Sequence, residues 1–171
     1  MEFFDKKTFV KVEDYEWTRV LPCAETCCSQ AAAAVIAFED LDNTACEISI
    51  VLTDNKMVKN LNREWRGIDS ATDVLAFPNQ ESEPLGELSR LLGDVVVAFG
   101  EASRDAELDG VSLHDHLSHL IVHGVFHLLG YDHLDEKEAK IMEAKETAVL
   151  ANLGVSDPYC TRATMPLSEF I

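Results

Sequence analysis

His123-Gly-Val-Phe-His127-Leu-Leu-Gly130-Tyr-Asp-His133 is the stretch on which the architecture turns. His123 and His127 are four residues apart, which places both imidazoles one turn apart on one face of a helix. Gly130 can take the positive φ that ends a helix, so the chain turns and His133 swings back towards the pair. Three imidazoles converging from a helix and its following turn leave a fourth coordination position open, the arrangement of a catalytic zinc. The sequence therefore predicts a zincin-like metal-site helix over Leu113–Leu129.

The same spacing, H-x3-H-x2-G-x2-H, occurs in zinc-dependent proteases of the zincin class. Those enzymes carry Glu directly after the first His as general base. Here that position is Gly124, so peptide hydrolysis by that route lacks its base. His119 precedes His123 by four residues. It cannot share a tetrahedral metal with His127, because eight helical residues span ~12 Å and Zn–N bonds are ~2 Å. It is expected beside the metal or facing substrate, with an ordinary place in the core as the alternative. His114 and His116, near the helix start, read as surface residues.

Working outward, Thr8–Val12 alternates weakly as a first strand, and alanine-rich Pro22–Phe38 predicts a helix with proline in its first turn. After a polar break at Asp40–Asn43, apolar Cys46, Ile48, Ile50 and Leu52 alternate in a half-buried strand. Thr53 and Asp54 are N-cap candidates for a helix over Lys56–Trp65, closed by Gly67–Ser70. A strand over Thr72–Phe77 stops at Pro78, Asn79–Arg90 reads as a loop, and Gly93–Ala98 is a β-branched buried strand. Helices over Phe99–Leu108, Leu113–Leu129 and Glu136–Leu153 complete the chain, with Gly154 as a C-terminal stop and Pro158 beyond it. The expected fold is α+β: one small mixed sheet of about four strands packed with helices. Residues 1–171 are expected to form a single domain.

Composition narrows the function classes. At 47% hydrophobic, the chain has the means to build a core and is not intrinsically disordered. The longest apolar run, Ala31–Phe38, falls far short of a membrane span, and Met1–Lys6 has no signal-like core. These features predict a soluble cytoplasmic protein with no membrane partner. Five cysteines without paired spacing (Cys23, Cys27, Cys28, Cys46, Cys160) predict reduced thiols. With 14 basic against 31 acidic residues, a net charge of −17 argues against a generic nucleic-acid binder. A local exception exists. Lys56, Lys59, Arg63 and Arg66 recur at helical spacing, within an arc of roughly 80° at 100° per residue. Met57, Val58, Leu61 and Trp65 occupy the opposite side, the face expected to pack. Arg66 at the end of the stripe suits bidentate contact with phosphate.

At these residues the sequence resembles the bacterial YbeY family of metal-dependent endoribonucleases. The shared features are Leu61-Asn62, Trp65-Arg66-Gly67, Thr72-Asp73-Val74-Leu75 with Phe77-Pro78, Leu92-Gly93-Asp94, His119 before the long histidine motif, and Asp157-Pro158-Tyr159. The resemblance covers roughly residues 45–160. It implies zinc at His123, His127 and His133, and an essential arginine at Arg66. It also implies maturation of the 3′ end of small-subunit rRNA and ribosome quality control. Implied partners are single-stranded rRNA, the small ribosomal subunit or its proteins, and an Era-type GTPase. Two departures stand out: Ala76 occupies a position that is usually Ser, and the first ~40 residues, with Cys23, Cys27 and Cys28, offer no motif to carry over. The leading expectation is a single-strand-preferring endoribonuclease with catalytic residues Arg66, His123, His127 and His133. Lys56, Lys59, Arg63, Arg66 and His119 would contact substrate. The alternatives are a zincin-like protease or amidase, and a non-catalytic ribosome-assembly factor whose zinc is structural.

Overall fold

The computed structural model describes residues 7–42, 45–79 and 90–160. Ten elements run in the order β1 Thr8–Val12, α1 Glu16–Val20, α2 Ala24–Phe38, β2 Cys46–Thr53, α3 Asn55–Arg66, β3 Val74–Pro78, β4 Arg90–Ala98, α4 Phe99–Asp109, α5 Leu113–Leu128 and α6 Glu136–Asn152. The four strands make one mixed sheet, as the alternation implied. Its order is β1-β2-β4-β3, with β1, β2 and β4 parallel and β3 antiparallel on the edge. Pro78 closes β3 and is tolerated because an edge strand does not need every donor.

Local chemistry sets the boundaries. The Asp54 carboxylate accepts from Met57 N at 2.9 Å and so caps α3. Gly67, at φ 71°, ends the same helix in the left-handed conformation. Ser112 and Asp135 cap α5 and α6 in the same way as Asp54. Several boundaries differ from the sequence reading by one to three residues: β3, expected over Thr72–Phe77, runs from Val74 to Pro78, α3 gains one residue at each end, and α4, α5 and α6 shift by one residue at an end. The predicted helix Pro22–Phe38 begins two residues later, and the short α1 precedes it, held where Trp17 is fully buried and its indole N–H donates to Thr53 O at 3.1 Å. The strand expected at Gly93 starts at Arg90, paired with Cys46. Residues 80–89 of the predicted loop, and Asn43 of the polar break, lie outside the described residues.

Helices cover both faces of the sheet. Ile48, Ile50, Leu52, Val95 and Val97 join α2, α5 and α6 in the larger core through Ala31, Val35, Leu117, Ile121, Val125 and Leu150. On the other face a smaller cluster, Val58, Leu75, Val96 and Ala98, seats α3. The packed face of α3 is narrower than the sequence suggested. Val58 and Asn62 are buried, whereas Met57 is 40% and Trp65 70% exposed. Trp65 lies two turns beyond Val58, past the cluster, and meets only the edge-strand ring of Phe77 among its aromatic contacts, at 6.2 Å. All five cysteines are free thiols, three of them buried.

Helix α5 approaches the sheet closely at Gly124, where a Cβ would stand 2.8 Å from Val95 Cγ1. Val95 is fully buried and stiff about χ1, so it has little room to yield. Gly124→Ala should therefore cost about 1–3 kcal/mol from overpacking, less the ~1 kcal/mol that alanine gains in helix propensity. Equilibrium denaturation measures this; a variant more stable than the parent would mean the helix can lift without cost.

Candidate metal centre

Two features of α5 and its exit put the three histidines together. The i, i+4 spacing aligns His123 and His127, and Gly130 at φ 98° reverses the chain after the helix. His133 then returns, and one ring nitrogen from each of the three lies within 4.8 Å of the others. The ring centroids of His123 and His127 are 4.6 Å apart, and that of His133 lies 5.0 Å from His127 and 5.6 Å from His123. The two Nε2 atoms of His123 and His127 are 3.1 Å apart. Two nitrogens bound to one tetrahedral zinc stand about 3.3 Å apart for bonds near 2.05 Å, so this donor set fits such an ion. Burial, followed by the neighbouring His123 and His133, pushes the His127 pKa down. A neutral ring keeps a lone pair for a metal.

Glu146 orients this set from outside. It is fully buried on α6, and one carboxylate oxygen accepts a short hydrogen bond from His123 Nδ1. That bond fixes the proton on Nδ1 and turns Nε2 towards His127, the usual carboxylate–histidine arrangement behind a metal. The other oxygen accepts a short bond from the Tyr159 hydroxyl. His119 Nε2 sits 3.2 Å from that hydroxyl and 3.6 Å from the carboxylate, beside the centre rather than in it. Burial alone would raise the Glu146 pKa; the hydrogen bonds from His119 and His123, the His123 charge and the Tyr159 bond bring it down to about 2. The carboxylate is ionised at neutral pH.

Neither Glu146 nor Tyr159 was singled out by the sequence reading as part of the site. A signal for Glu146 existed: Met142, Glu146, Val149 and Leu150 form the buried face of α6, and an acid in an apolar stripe needs a partner. Tyr159 carried none beyond its place in the Asp157-Pro158-Tyr159 motif.

A cleft of about 390 Å³ opens beside the centre, lined among others by Asp73, His119, His123, His133, Glu143 and Tyr159. Lys56, Lys59, Arg63 and Arg66 are all exposed on α3, and none of them lines this cleft. Arg63 also approaches Asp69, at 3.8 Å. Asn62 Nδ2 donates to Ser70 O at 2.9 Å, tying the chain after Arg66 to the helix as it runs towards Asp73 and the cleft. His114 is half exposed, but His116 is buried, 7% exposed, which corrects its reading as a surface residue. It lies one turn before Leu120 and faces α4 and the start of β3 rather than solvent.

Comparison with known proteins agrees with this architecture. The family described as "Endoribonuclease YbeY" matches residues 12–154. A protein named Endoribonuclease YbeY from Paramagnetospirillum magneticum is 48% identical over 146 residues, covering 84% of this chain and 89% of its own. Another of that name from Azorhizobium caulinodans is 43% identical over 154 residues, 90% and 96% of the two chains. The solution structure of TM1509 from Thermotoga maritima, 21% identical, superposes with a TM-score of 0.54 over 93% of each chain and shares the fold. With the match beginning at the end of β1, well before residue 45 where the motifs start, and taking in β2, β3, β4 and the three histidines, the chain belongs to the endoribonuclease YbeY family.

Proposed function

We propose that this chain is a single-domain, zinc-dependent endoribonuclease that cuts single-stranded rRNA during maturation of the small-subunit 3′ end and in ribosome quality control. The observation that carries the reading is three imidazole nitrogens within 4.8 Å beside a cleft, backed by a buried carboxylate that accepts from His123 Nδ1. His123, His127 and His133 would hold the ion, which supplies Lewis-acid stabilisation to a phosphoryl group when bound. Glu146 keeps His123 in the metal-binding tautomer. Arg66 contributes a planar guanidinium for charge developing on the phosphate. Lys56, Lys59 and Arg63 extend the cationic track on a chain that otherwise repels RNA, and His119 faces the same cleft. Suitable partners are the small ribosomal subunit or its proteins and an Era-type GTPase. No helix among the described residues is long and apolar enough to cross a membrane, in keeping with work in the cytoplasm.

Two other readings fit less well. A protease would need an acid at position 124, where packing against Val95 leaves no room. A purely structural zinc normally takes four protein ligands, whereas three are gathered here. The test is cleavage of single-stranded RNA by chain carrying one zinc. Chelation should abolish cleavage. Arg66→Lys should lower it by about 10²-fold, the scale of losing one aimed donor, with metal content unchanged. Cleavage that survives complete removal of metal would overturn the proposal.

A further inference from the structure

We infer that Asp73, Asp105 and His116 form a second divalent-cation site, separate from the three histidines and on the wall of the same cleft system. One ligand atom from each lies within 4.8 Å of the other two. They come from three elements: Asp73 at the entry to β3, Asp105 on α4 and His116 on α5. The acids alone would signify little. The decisive group is His116, a ring 7% exposed whose Nε2 is buried without a hydrogen-bond partner. A buried ring nitrogen left unpaired carries a desolvation cost of about 1–3 kcal/mol, so it calls for an occupant. That atom points at Asp73 Oδ2 from 3.8 Å, too far for a hydrogen bond. It exceeds the roughly 3.0–3.4 Å between adjacent donors that share one cation at ~2.1 Å each, so an ion seated there would draw the two side chains together by about half an ångström.

The remaining bonds agree. Asp73 Oδ1 is already used, accepting from Val74 N at 2.8 Å, which leaves Oδ2 facing His116. Burial and the adjoining Asp73 carboxylate push Asp105 upward, and the neighbouring cation, Arg104, comes no closer than 3.8 Å. Two carboxylates facing one another are relieved by a cation between them. Burial pushes His116 downward, keeping its lone pair available. Two carboxylate oxygens and one imidazole suit an oxygen-preferring divalent ion that also accepts nitrogen, such as Mn2+. Open solvent supplies its other ligands: Asp73, Asp105 and His116 line a cleft of about 510 Å³ that adjoins the one beside the metal centre through Asp73 and His119.

His116 and His123 are seven helical residues apart, about 10 Å along α5. The two ions are too distant for the ~3.5–4 Å pair that acts on one phosphate. The second would instead bridge a neighbouring phosphate of the strand to a cleft wall crowded with Asp73, Asp105, Asp109, Asp115 and Asp157. That use of the ion rests on the endoribonuclease reading; the site itself does not.

Titration with Mn2+, followed by its paramagnetic resonance signal without RNA, tests the site. Chain already holding one zinc should bind one further Mn2+ while retaining the zinc. Asp105→Asn, at a partly exposed position where folding should persist, should weaken that Mn2+ by about 10–100-fold or more, at least the loss seen for groups behind a metal. His127→Ala, which disables the other centre, should leave it within about twofold. The inference is overturned if zinc-loaded chain binds no Mn2+ at millimolar concentration. It is equally overturned if Asp105→Asn binds as the parent does, or if His127→Ala abolishes binding. Because RNA is absent, a failed cleavage assay would count against the endoribonuclease reading alone.

Discussion

His127→Ala should lose its metal almost completely. Zinc sites of four protein ligands hold the ion with about 10–16 kcal/mol, so one imidazole accounts for about 10²- to 10³-fold in affinity. The remaining pair, His123 and His133, have ring centroids 5.6 Å apart and lie nearly parallel, a poor two-point clamp. Dialysis against a weak chelator followed by elemental analysis should find one metal per parent chain and almost none in the variant. RNA cleavage should fall with it, while helix content stays near that of the metal-free parent. Stoichiometric metal in His127→Ala would remove the centre as described.

Glu146→Gln separates orientation from ligation. The amide has nearly the same shape as the acid, and none of the three ligands changes. It has lost the charge, however, and its NH2 replaces one of the two oxygens that separately accept from His123 Nδ1 and the Tyr159 hydroxyl, so one of those donors faces another donor. Metal affinity, measured by competition with a chelator of known strength, should drop by about 10–100-fold. Affinity equal to the parent would mean that the buried carboxylate serves packing alone. Glu146→Ala is the less informative change, because it also opens a cavity beneath α6.

The contrast between these two residues shows what the sequence could reveal. His123, His127 and His133 lie within one helix and its turn, so periodicity and one glycine suffice to bring them together. The same holds for the Asp54 cap and for the alternation in β2, each decided within a few residues. Glu146 and Tyr159 reach the centre only because α6 and the chain after it fold back over α5, and no local pattern encodes that return. Asp73, Asp105 and His116 are further apart still in sequence, and His116 reads as a surface residue only from its place near the helix start. Trp65 failed in the opposite sense. Its helical phase places it on the packed face, but only the edge strand reaches it, through the Phe77 ring, and it stays 70% exposed. Periodicity gives a direction around a helix, not the extent of the surface it meets.

The close seat of α5 on β4 also bears on which catalysts this chain could become. A glutamate at position 124 would point into Val95, not into the cleft. A smaller side chain at Val95 would make room for that acid only inside the core, where it still could not reach a substrate in the cleft. The seat of the helix, and not one missing side chain, keeps the protease base away from histidines that are already in place.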